Sequence, residues 1–539
     1  MKTSIIKKIV LTQLLVLFLS VLYAQDKTFT TNLPIVFINT NGKAIVDDPR
    51  VIVKMEIAWK GDGETNRTSD PRTHFSGNVN IEIRGSTSQQ FPKKSFGFEL
   101  KDEKGKDMDF PLLGMPEEED WILYAPYSDK TLIRNVLALT LASQISEVYV
   151  PRCRFVELFI NEKYKGVYVL MEKIKRDKNR VDIAKLKAED IDGEELTGGY
   201  IIKIDKITGS GGDRWYSKRK NSNGAKTYYQ YEYPKFDKIT EEQKQYIEKY
   251  FDDFETAVYT KNHDEQTGYM SFIHPESFFD MIIINELSKN IDGYRLSTFF
   301  YKDKNDKLTA GPLWDYNLAF GNANYHNGWD TRFLQVFELL GKDLRKNPFW
   351  WSILMRDSVF TNPLKTRWQE LRKNQLSEER VLEVADSLIN LLGKAADRNF
   401  EQWPILGEQV VPNYFVGDTY ESEVDWLKSW VAERLVNLDE RLPGVGKTTD
   451  LPILNVAVNK IYPNPFSSEI TVQIQSECNS SFHFRLFTID GRLVKDELFD
   501  APEGFSTFEI NTENLLRGVF IYRLFYRDSI VSSGKIIKL

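Results

Sequence analysis

The sequence predicts an α+β fold of two successive lobes, followed by a small all-β sandwich. Apolar–polar alternation typical of strands dominates the chain up to residue 172, and helical spacing dominates from residue 239 to residue 442. Short alternating segments return after residue 461. A chain of 539 residues is long enough for such an arrangement, because single domains usually take about 100–200 residues.

Composition excludes several classes of protein. Hydrophobic residues make up 41% and charged residues 28%, which is the balance of a globular protein. The net charge of −7 argues against general nucleic-acid binding, which requires basic surface, so we expect no nucleic-acid partner. Two cysteines, Cys153 and Cys478, and five histidines without metal-binding spacing argue against zinc and iron–sulfur sites.

Residues 1–24 resemble a secretory signal peptide. Three lysines precede an apolar run over 9–24, and Ala24 offers a small residue for cleavage. The alternative is a membrane anchor, but a spanning helix needs about 20 apolar residues and this run is shorter. No later stretch has that length and apolarity, so we expect an exported mature chain without a transmembrane segment.

The β-rich lobe opens the predicted domain at 30–443. Its expected elements are strands at Asn80–Arg84 and Ser95–Leu100, a helix at Leu132–Ile145, and strands at Phe155–Ile160 and Val167–Glu172. Ser128 and Asp129 precede the helix and can cap it. A turn over Asn161–Gly166, ended by its glycine, is expected to join the last two strands.

Helices dominate the second lobe. They are predicted at Ile239–Tyr259, Pro275–Lys289, Ser377–Asn399 and Val424–Leu442. A strand hairpin is expected at Thr298–Tyr301 and Lys307–Ala310. Lys203–Phe236 is polar and is interpreted as a loop insertion.

The last part of the chain is predicted to be a linker, 444–455, and an immunoglobulin-like β-sandwich, 456–539. Glu469–Gln475 alternates apolar and polar residues, and Asp490-Gly491 marks the turn of a hairpin. A second hairpin is expected from Gly518–Tyr526 and Ile530–Leu539.

A loop of small residues follows the strand that ends at Arg84. Ser86 and Ser88 lie in this loop, and Lys93-Lys94 opens the next strand. Backbone N–H groups of such a turn can approach phosphate oxygens, and a strand lysine can neutralise them. Alone, the pattern also fits an ordinary hairpin with a solvated lysine pair.

Two aspartates occupy separate loops 23 residues apart. Asp292 follows the helix at Pro275–Lys289, and Asp315 follows the hairpin that would bring both loops to one edge of the lobe. Such carboxylates suit phosphoryl transfer, one orienting a hydroxyl and the other holding a metal, with Asn317 completing the metal site. The alternative is that each caps a turn or pairs with Arg295 or Lys302. The acidic pair Glu119/Asp120 gives a weaker indication of a glycan-active enzyme.

In order, these segments are the parts of a protein kinase: small-residue loop, strand lysine, helix, hairpin, helix, and two aspartate loops. The region resembles the CotH (spore coat protein H) family, which has an atypical protein-kinase fold. The matching stretches are Arg84–Leu100, Ser128–Asn135, Gly166–Asp177, Asn290–Asp303, Trp314–Gly321 and the C-terminal helix with Trp430, Arg434 and Leu438.

The resemblance implies a kinase that transfers the γ-phosphoryl group of ATP to Ser or Thr of exported proteins, with Mg²⁺ or Mn²⁺. It assigns Lys94 to the phosphates, Asp292 to the catalytic loop and Asp315 to the metal. Ser86 and Ser88 would lie over the phosphates. Glu172 and Lys173 would lie at the hinge behind the adenine.

One position departs from the kinase pattern. The catalytic loop usually carries a metal-binding Asn five residues after the Asp, and here that residue is Ser297. A hydroxyl is a weaker ligand, so Asn317 would share the metal with Ser297 and Asp315. The alternative is a weak or inactive kinase-fold protein that serves as a surface binding or structural protein.

The tail resembles the C-terminal sorting domain of type IX (Por) secretion substrates. The motifs are IYPNPF at Ile461–Phe466, IDGR at 489–492, GVFIYR at 518–523 and GKIIKL at 534–539. The resemblance implies a Bacteroidetes-type bacterium, the type IX machinery as partner, and a secreted or cell-surface location.

Overall fold

A computed structural model describes residues 29–207, 214–220, 224–337, 347–444, 456–476, 480–488, 493–502, 504–526 and 529–539. The chain divides into two compact units, 1–445 and 446–539. The predicted signal peptide, and the predicted linker after residue 444, lie outside the described residues. No helix in the described part is long and apolar enough to cross a membrane.

A closed seven-stranded barrel forms the β-rich lobe, with strand order β2-β3-β5-β6-β7-β9-β8. The strands of this lobe are β1 (Thr30–Thr31), β2 (Ile35–Asn39), β3 (Val51–Ala58), β4 (Asn66–Arg67), β5 (Phe75–Arg84), β6 (Ser95–Lys101), β7 (Asp120–Tyr124), β8 (Cys153–Ile160) and β9 (Lys163–Glu172). Parallel pairing of β2 with β8 closes the barrel. All other neighbouring strands of the barrel pair antiparallel. Buried side chains such as Val79 and Trp121 fill one core.

Helix α1 (Arg134–Ile145) lies between β7 and β8 in the chain, as the spacing predicts. The N-cap residue is Ile133, so neither Ser128 nor Asp129 occupies the predicted capping position, but Asp129 Oδ2 accepts the backbone N–H of Arg134, the first helical residue, at 2.8 Å. Leu137 and Leu141 of α1 belong to the core cluster that also holds the buried helices of the second lobe. The helix therefore packs between the two lobes and fixes the residues at its own N-terminus.

The hairpin of β8 and β9 differs from the prediction at its turn. Asn161 and Glu162 form the turn, with φ of 50° and 59°, and Gly166 lies inside β9. A Cβ atom at Gly166 would meet Asn399 Oδ1 at 2.6 Å. The prediction that this glycine ends the turn was wrong, because its lack of a side chain allows close packing of a helix.

A five-stranded sheet crosses the second lobe in the order β11-β12-β10-β13-β14. Its strands are β10 (Tyr200–Ile204), β11 (Arg214–Tyr216), β12 (Tyr228–Tyr233), β13 (Thr298–Lys302) and β14 (Leu308–Ala310). The predicted hairpin is β13 and β14. The interpretation of Lys203–Phe236 as a loop was wrong, since the segment supplies two strands and Trp215 stacks on Tyr229 with centroids 5.1 Å apart.

The helices of the second lobe surround a buried central helix, α4. They are α2 (Glu241–Tyr259), α3 (Tyr269–Phe272), α4 (Pro275–Ser288), α5 (Phe349–Leu354), α6 (Ser358–Leu371), α7 (Glu378–Leu392), α8 (Lys394–Gln402) and α9 (Tyr420–Arg441). The single helix predicted over Ser377–Asn399 is divided at Gly393, whose φ is 44°. Helices α3, α5 and α6 were not predicted.

The C-terminal unit is all-β, as predicted. Its strands are β15 (Val456–Tyr462), β16 (Glu469–Ser476), β17 (Ser480–Thr488), β18 (Leu493–Ala501), β19 (Gly504–Asn511), β20 (Gly518–Tyr526) and β21 (Ser529–Lys538). They form sheets of order β15-β16-β19 and β18-β17-β20-β21, and one core contains Ile470 of the first sheet and Phe484 of the second. Both predicted hairpins are present, although the Asp490-Gly491 turn lies outside the described residues.

Candidate active site

A cavity of about 1000 Å³ lies where the barrel meets the helical lobe. Its walls come from the end of β5 and the loop after it, from β7 and β9, from the end of β10, and from the two aspartate loops. Of the residues that sequence reasoning selected, Ser86, Ser88, Asp292, Ser297, Asp315 and Asn317 line this cavity. The structure thus brings together parts that are separated by more than 200 residues in the chain.

The loop after β5 is held in one conformation by Gly85. This residue has φ of +114°, and a Cβ atom there would lie 2.1 Å from Ser88 Oγ. A short 3₁₀ helix, Thr87–Gln90, follows, and Gln89 donates its side-chain amide to the Gly85 carbonyl at 2.9 Å. The hydroxyl-bearing residues Ser86 and Ser88 therefore stand at the cavity wall.

Replacing Gly85 with alanine is expected to disturb this loop. The φ of +114° should cost about 1–3 kcal/mol of unfolding free energy, the range for a strained backbone position, and the added Cβ would force the Ser88 hydroxyl into another rotamer. Urea unfolding followed by circular dichroism measures the loss. Gly105→Ala is the matched control for φ alone, because Gly105 has φ of +78° and nothing within 4 Å of its added Cβ. Equal losses for the two variants would contradict the proposed steric role.

The two lysines before β6 do not point into the cavity. Lys94 donates its ammonium to the Gln89 carbonyl at 2.6 Å, within the loop itself. Lys93 is buried, where its ammonium contacts the Val167 carbonyl at 2.6 Å and Asn399 Oδ1 at 2.7 Å, and burial lowers its pKa well below the usual value. Neither is among the residues that line the cavity.

Other basic side chains line the cavity instead. They are Arg84, Lys203, Lys206 and Arg295. Arg84 ends β5 and interacts electrostatically with Asp315. Lys206 donates its ammonium to Thr87 Oγ1 at 3.2 Å, which ties the end of β10 to the loop after β5. Sequence reasoning assigned no role to Arg84, although it stands in the motif that contains Lys94.

Asn290 joins the two aspartate loops. Its Oδ1 accepts the backbone N–H of Asp292 at 3.2 Å, and its side-chain amide donates to the Asp315 carbonyl at 3.2 Å. Asp292 also accepts a 2.7 Å bond from Arg295, the partner considered as the alternative to a catalytic role. The ion pair and the place in the cavity are compatible, because Arg295 lines the same cavity.

Helix α1 holds the second aspartate loop through Asn135. The Asn135 Oδ1 accepts the backbone N–H of Tyr316 at 2.9 Å, and the Tyr316 hydroxyl donates to Asn285 Oδ1 at 2.9 Å. Between these anchors Asp315 adopts φ of +65°, which is uncommon for a residue with a side chain. The loop is therefore over-determined by buried hydrogen bonds, as expected for a site that must hold its geometry.

A third carboxylate, Asp205, lines the cavity and was missed by sequence reasoning. Burial is the largest cause of the raised pKa of Asp315, and Asp292 and then Asp205 add to it. The result is a pKa of about 7 for Asp315, in spite of the opposing effect of Arg84. The cavity thus holds negative charge that a bound cation would stabilise.

Ser297 and Asn317 lie beside these carboxylates. Ser297 has φ of +48°, and burial raises the pKa of Asp205 while the Ser297 backbone opposes that rise. The backbone carbonyl of Asn317 accepts from the Asn322 side chain at 2.8 Å. Both residues therefore present oxygen-bearing side chains at the cavity wall.

The two residues assigned to the hinge lie outside the cavity lining. Glu172 is fully buried and accepts hydrogen bonds from Arg152 and, at 2.9 Å, from the Tyr149 hydroxyl. Lys173 pairs with Asp120 at 2.9 Å. Met171, one residue earlier, and its cross-strand partner Ile122 form the apolar wall here.

An acidic group near Glu172 and Lys173 is neutralised by its neighbours. Among the described residues, Glu118, Glu119 and Asp120 form a set of carboxylates with oxygens within 4.8 Å of one another. Lys175 contacts all three. This pairing favours a structural role over the glycan chemistry considered from sequence.

Comparison with protein families identifies both parts of the chain. The family described as "CotH kinase protein" matches residues 81–438. The chain belongs to this family. The "Secretion system C-terminal sorting domain" matches residues 460–538 of this CotH protein. Both resemblances drawn from the sequence are confirmed, and the sorting domain indicates export by type IX secretion.

Two of the solved structures that match this chain are only distantly similar to it. A β-glucosidase from Kluyveromyces marxianus is 8% identical over 16% of this chain and 14% of its own, with a TM-score of 0.13. The Pseudomonas fluorescens DNA glycosylase AlkC is 10% identical over 34% of this chain and 65% of its own, also with a TM-score of 0.13. Comparison with curated proteins finds no match.

Proposed function

We propose that this CotH protein is an exported protein kinase, which transfers the γ-phosphoryl group of ATP to Ser or Thr of secreted or surface proteins. The observation that supports it is one cavity that contains both predicted aspartates, Asp292 and Asp315, with Arg84 beside them. Phosphoryl transfer depends on positioning and on charge stabilisation, which such a set supplies. The barrel and the helical lobe would correspond to the two lobes of a kinase.

The cavity fits Mg²⁺ or Mn²⁺. Asp315 would hold the cation with Asn317 and Ser297, since hard divalent cations prefer oxygen ligands. The pKa of Asp315 is raised by burial and then by Asp292 and Asp205, which supports the proposal that a cation would be stabilised beside these carboxylates. The cation would neutralise charge on the phosphates of ATP.

The nucleotide would lie between the apolar and the charged ends of the cavity. Ile122 and Met171 form the wall against which the adenine would pack. Ser86 and Ser88 would lie over the phosphates, and Arg84 would pair with them in the place that the family resemblance gives to Lys94. Lys94 would support the loop through its bond to the Gln89 carbonyl.

Asp292 would act on the acceptor hydroxyl. Its bond from Arg295 and its backbone bond to Asn290 fix the carboxylate at the cavity wall. From there it would orient the Ser or Thr hydroxyl and accept its proton as the new P–O bond forms.

Arg84 and Lys94 can be separated by substitution. Arg84→Met should weaken ATP binding about 10–100-fold, since charged hydrogen bonds contribute roughly 1.5–3 kcal/mol. Lys94→Met should weaken it less, because it removes only support of the loop. Isothermal titration with ATP and Mn²⁺ measures both. If Lys94→Met lost more ATP affinity than Arg84→Met, Lys94 would be the residue that binds the phosphates.

The proposed function itself is tested with the purified chain, labelled ATP, Mn²⁺ and a generic acceptor protein. We expect incorporation of label that depends on the metal, and a rise in melting temperature with ATP and metal, since ligands stabilise the folded state by mass action. A protein that retains the fold only for binding or structure would show neither effect.

A further inference from the structure

Asp205 owes its position to the register of the five-stranded sheet. It directly follows β10, and β10 pairs with β13 so that Ile204 lies opposite Thr298. Ser297 precedes Thr298, so Asp205, at the end of β10, lies opposite Ser297, at the start of β13. The register therefore places the Asp205 carboxylate beside the backbone of Ser297, and burial raises the Asp205 pKa while the Ser297 backbone opposes that rise.

Lys203 and Lys206 attract the Asp205 carboxylate, but the ammonium groups of both and the guanidinium of Arg295 have contacts to other oxygens as well. Lys203 pairs with Glu232 at 2.8 Å, and Arg295 bonds Asp292 at 2.7 Å. Lys206 donates its ammonium to Thr87 Oγ1 at 3.2 Å. Asp205 and Asp315 line the same cavity and are close enough for Asp205 to raise the pKa of Asp315, and carboxylate oxygens are the ligands that hard divalent cations prefer.

Ser297 stands where kinases carry the Asn that binds the second metal ion. A serine hydroxyl is shorter than an amide and carries no charge, so Ser297 alone would leave this cation poorly held. The carboxylate of Asp205 lies beside the same residue, on the strand next to it.

We propose that Asp205 supplies the metal ligand that Ser297 lacks, so that the cation is held by Asp205 together with Asp315. This inference rests on the proposed function, since it concerns the cation of the same cavity. If Asp205 supplies this ligand, the serine at position 297 does not mean that the metal site is lost. The ligand comes from a different residue.

The test is titration of the purified protein with Mn²⁺ alone, followed by electron paramagnetic resonance of free Mn²⁺. Asp205→Asn retains a side-chain oxygen beside the Ser297 backbone, but it removes the charge. We expect at least about tenfold weaker Mn²⁺ binding in this variant. Asp237→Asn is the matched control, because Asp237 is 69% exposed and pairs with Lys238 outside the cavity lining, and it should bind Mn²⁺ as the wild type does.

A second substitution tests the link between the two positions. Ser297→Asn in the Asp205→Asn background should recover most of the lost Mn²⁺ affinity, by supplying the amide oxygen of other kinases. Asn is suited to the φ of +48° at this position, since it tolerates the left-handed region better than most residues.

The outcomes separate this inference from the proposed function. If the wild type binds Mn²⁺ and Asp205→Asn binds it equally well, Asp205 is a structural partner of Ser297 and the inference is overturned. If Asp205→Asn binds Mn²⁺ weakly and adding Ser297→Asn recovers none of the lost affinity, the claim that Asp205 replaces the kinase Asn as a ligand is overturned. If the wild type binds no Mn²⁺, the metal-dependent function fails with it.

Discussion

Asp315→Asn is expected to lower phosphate transfer by at least about 100-fold and to abolish the effect of metal on ATP binding. The substitution keeps the size of the side chain and removes the charge that would hold the cation, and loss of a charge-stabilising group at such a site typically costs 10²–10³ in kcat. Labelled-phosphate incorporation and titration with ATP and Mn²⁺ measure the two effects. Asp237→Asn, an exposed carboxylate paired with Lys238, should match the wild type in both. If the wild type and Asp315→Asn transferred phosphate equally well, the proposed kinase function would be wrong.

The same carboxyl predicts a dependence on pH. Its pKa is raised to about 7, chiefly by burial and then by Asp292 and Asp205, so the group is protonated in weak acid and ionised in weak base. Because the folded-state pKa lies above that of the unfolded chain, this group's stabilising contribution is present in acid and is lost as the pH rises through 7. Without metal, Asp315→Asn should therefore raise the melting temperature at pH 8 and change it little at pH 4. If Asp315→Asn raised the melting temperature at pH 4 and not at pH 8, the conclusion that the pKa of Asp315 is raised in the folded state would be wrong.

The sequence predicts the meeting of Asp292 and Asp315 because their separation is short and local. Both flank one hairpin, β13 and β14, whose two strands follow each other in the chain. Asp205 follows β10, which pairs with β13 across a long stretch of intervening chain. Its polar, tyrosine-rich surroundings predicted a loop, because alternation is weak where strands carry aromatic residues on both faces. Only the register of the folded sheet places it at the cavity.

The lysines before β6 show a second limit of sequence reasoning. Lys93 and Lys94 are adjacent in the chain, so their side chains can point in different directions. Neither composition nor spacing determines which groups each ammonium contacts. The structure directs Lys93 to Asn399 and Lys94 to the Gln89 carbonyl. The barrel was missed for a related reason, since its closure depends on parallel pairing of β2 with β8, far apart in the chain.

Arg434→Met is expected to lower the free energy of unfolding by about 3–5 kcal/mol, the usual cost of leaving one partner of a buried ion pair. Arg434 and Glu286 are both 0% exposed, and the guanidinium contacts Glu286 Oε2 at 3.0 Å. It also donates to the Glu286 carbonyl at 2.8 Å and to the Thr331 carbonyl at 2.6 Å, which explains why this arginine belongs to the motif of the last helix. Urea unfolding measures the loss, and Arg380→Met, on an exposed pair with Glu383, should change it by less than about 0.5 kcal/mol.

Loss of Arg434 should also reach the active site through Glu286. The Glu286 carboxylate accepts the Tyr294 hydroxyl at 2.9 Å and the backbone N–H groups of Gln335 and Val336 at 2.8 Å each. Tyr294 lies two residues after Asp292, so the buried pair fixes the loop that carries the proposed base. Glu286→Gln retains an oxygen for these donors but leaves the buried Arg434 guanidinium without its counter-charge, so it should also lower the free energy of unfolding by about 3–5 kcal/mol. A variant of Arg434 with full stability and unchanged transfer would contradict both the energetic and the positional role of the pair.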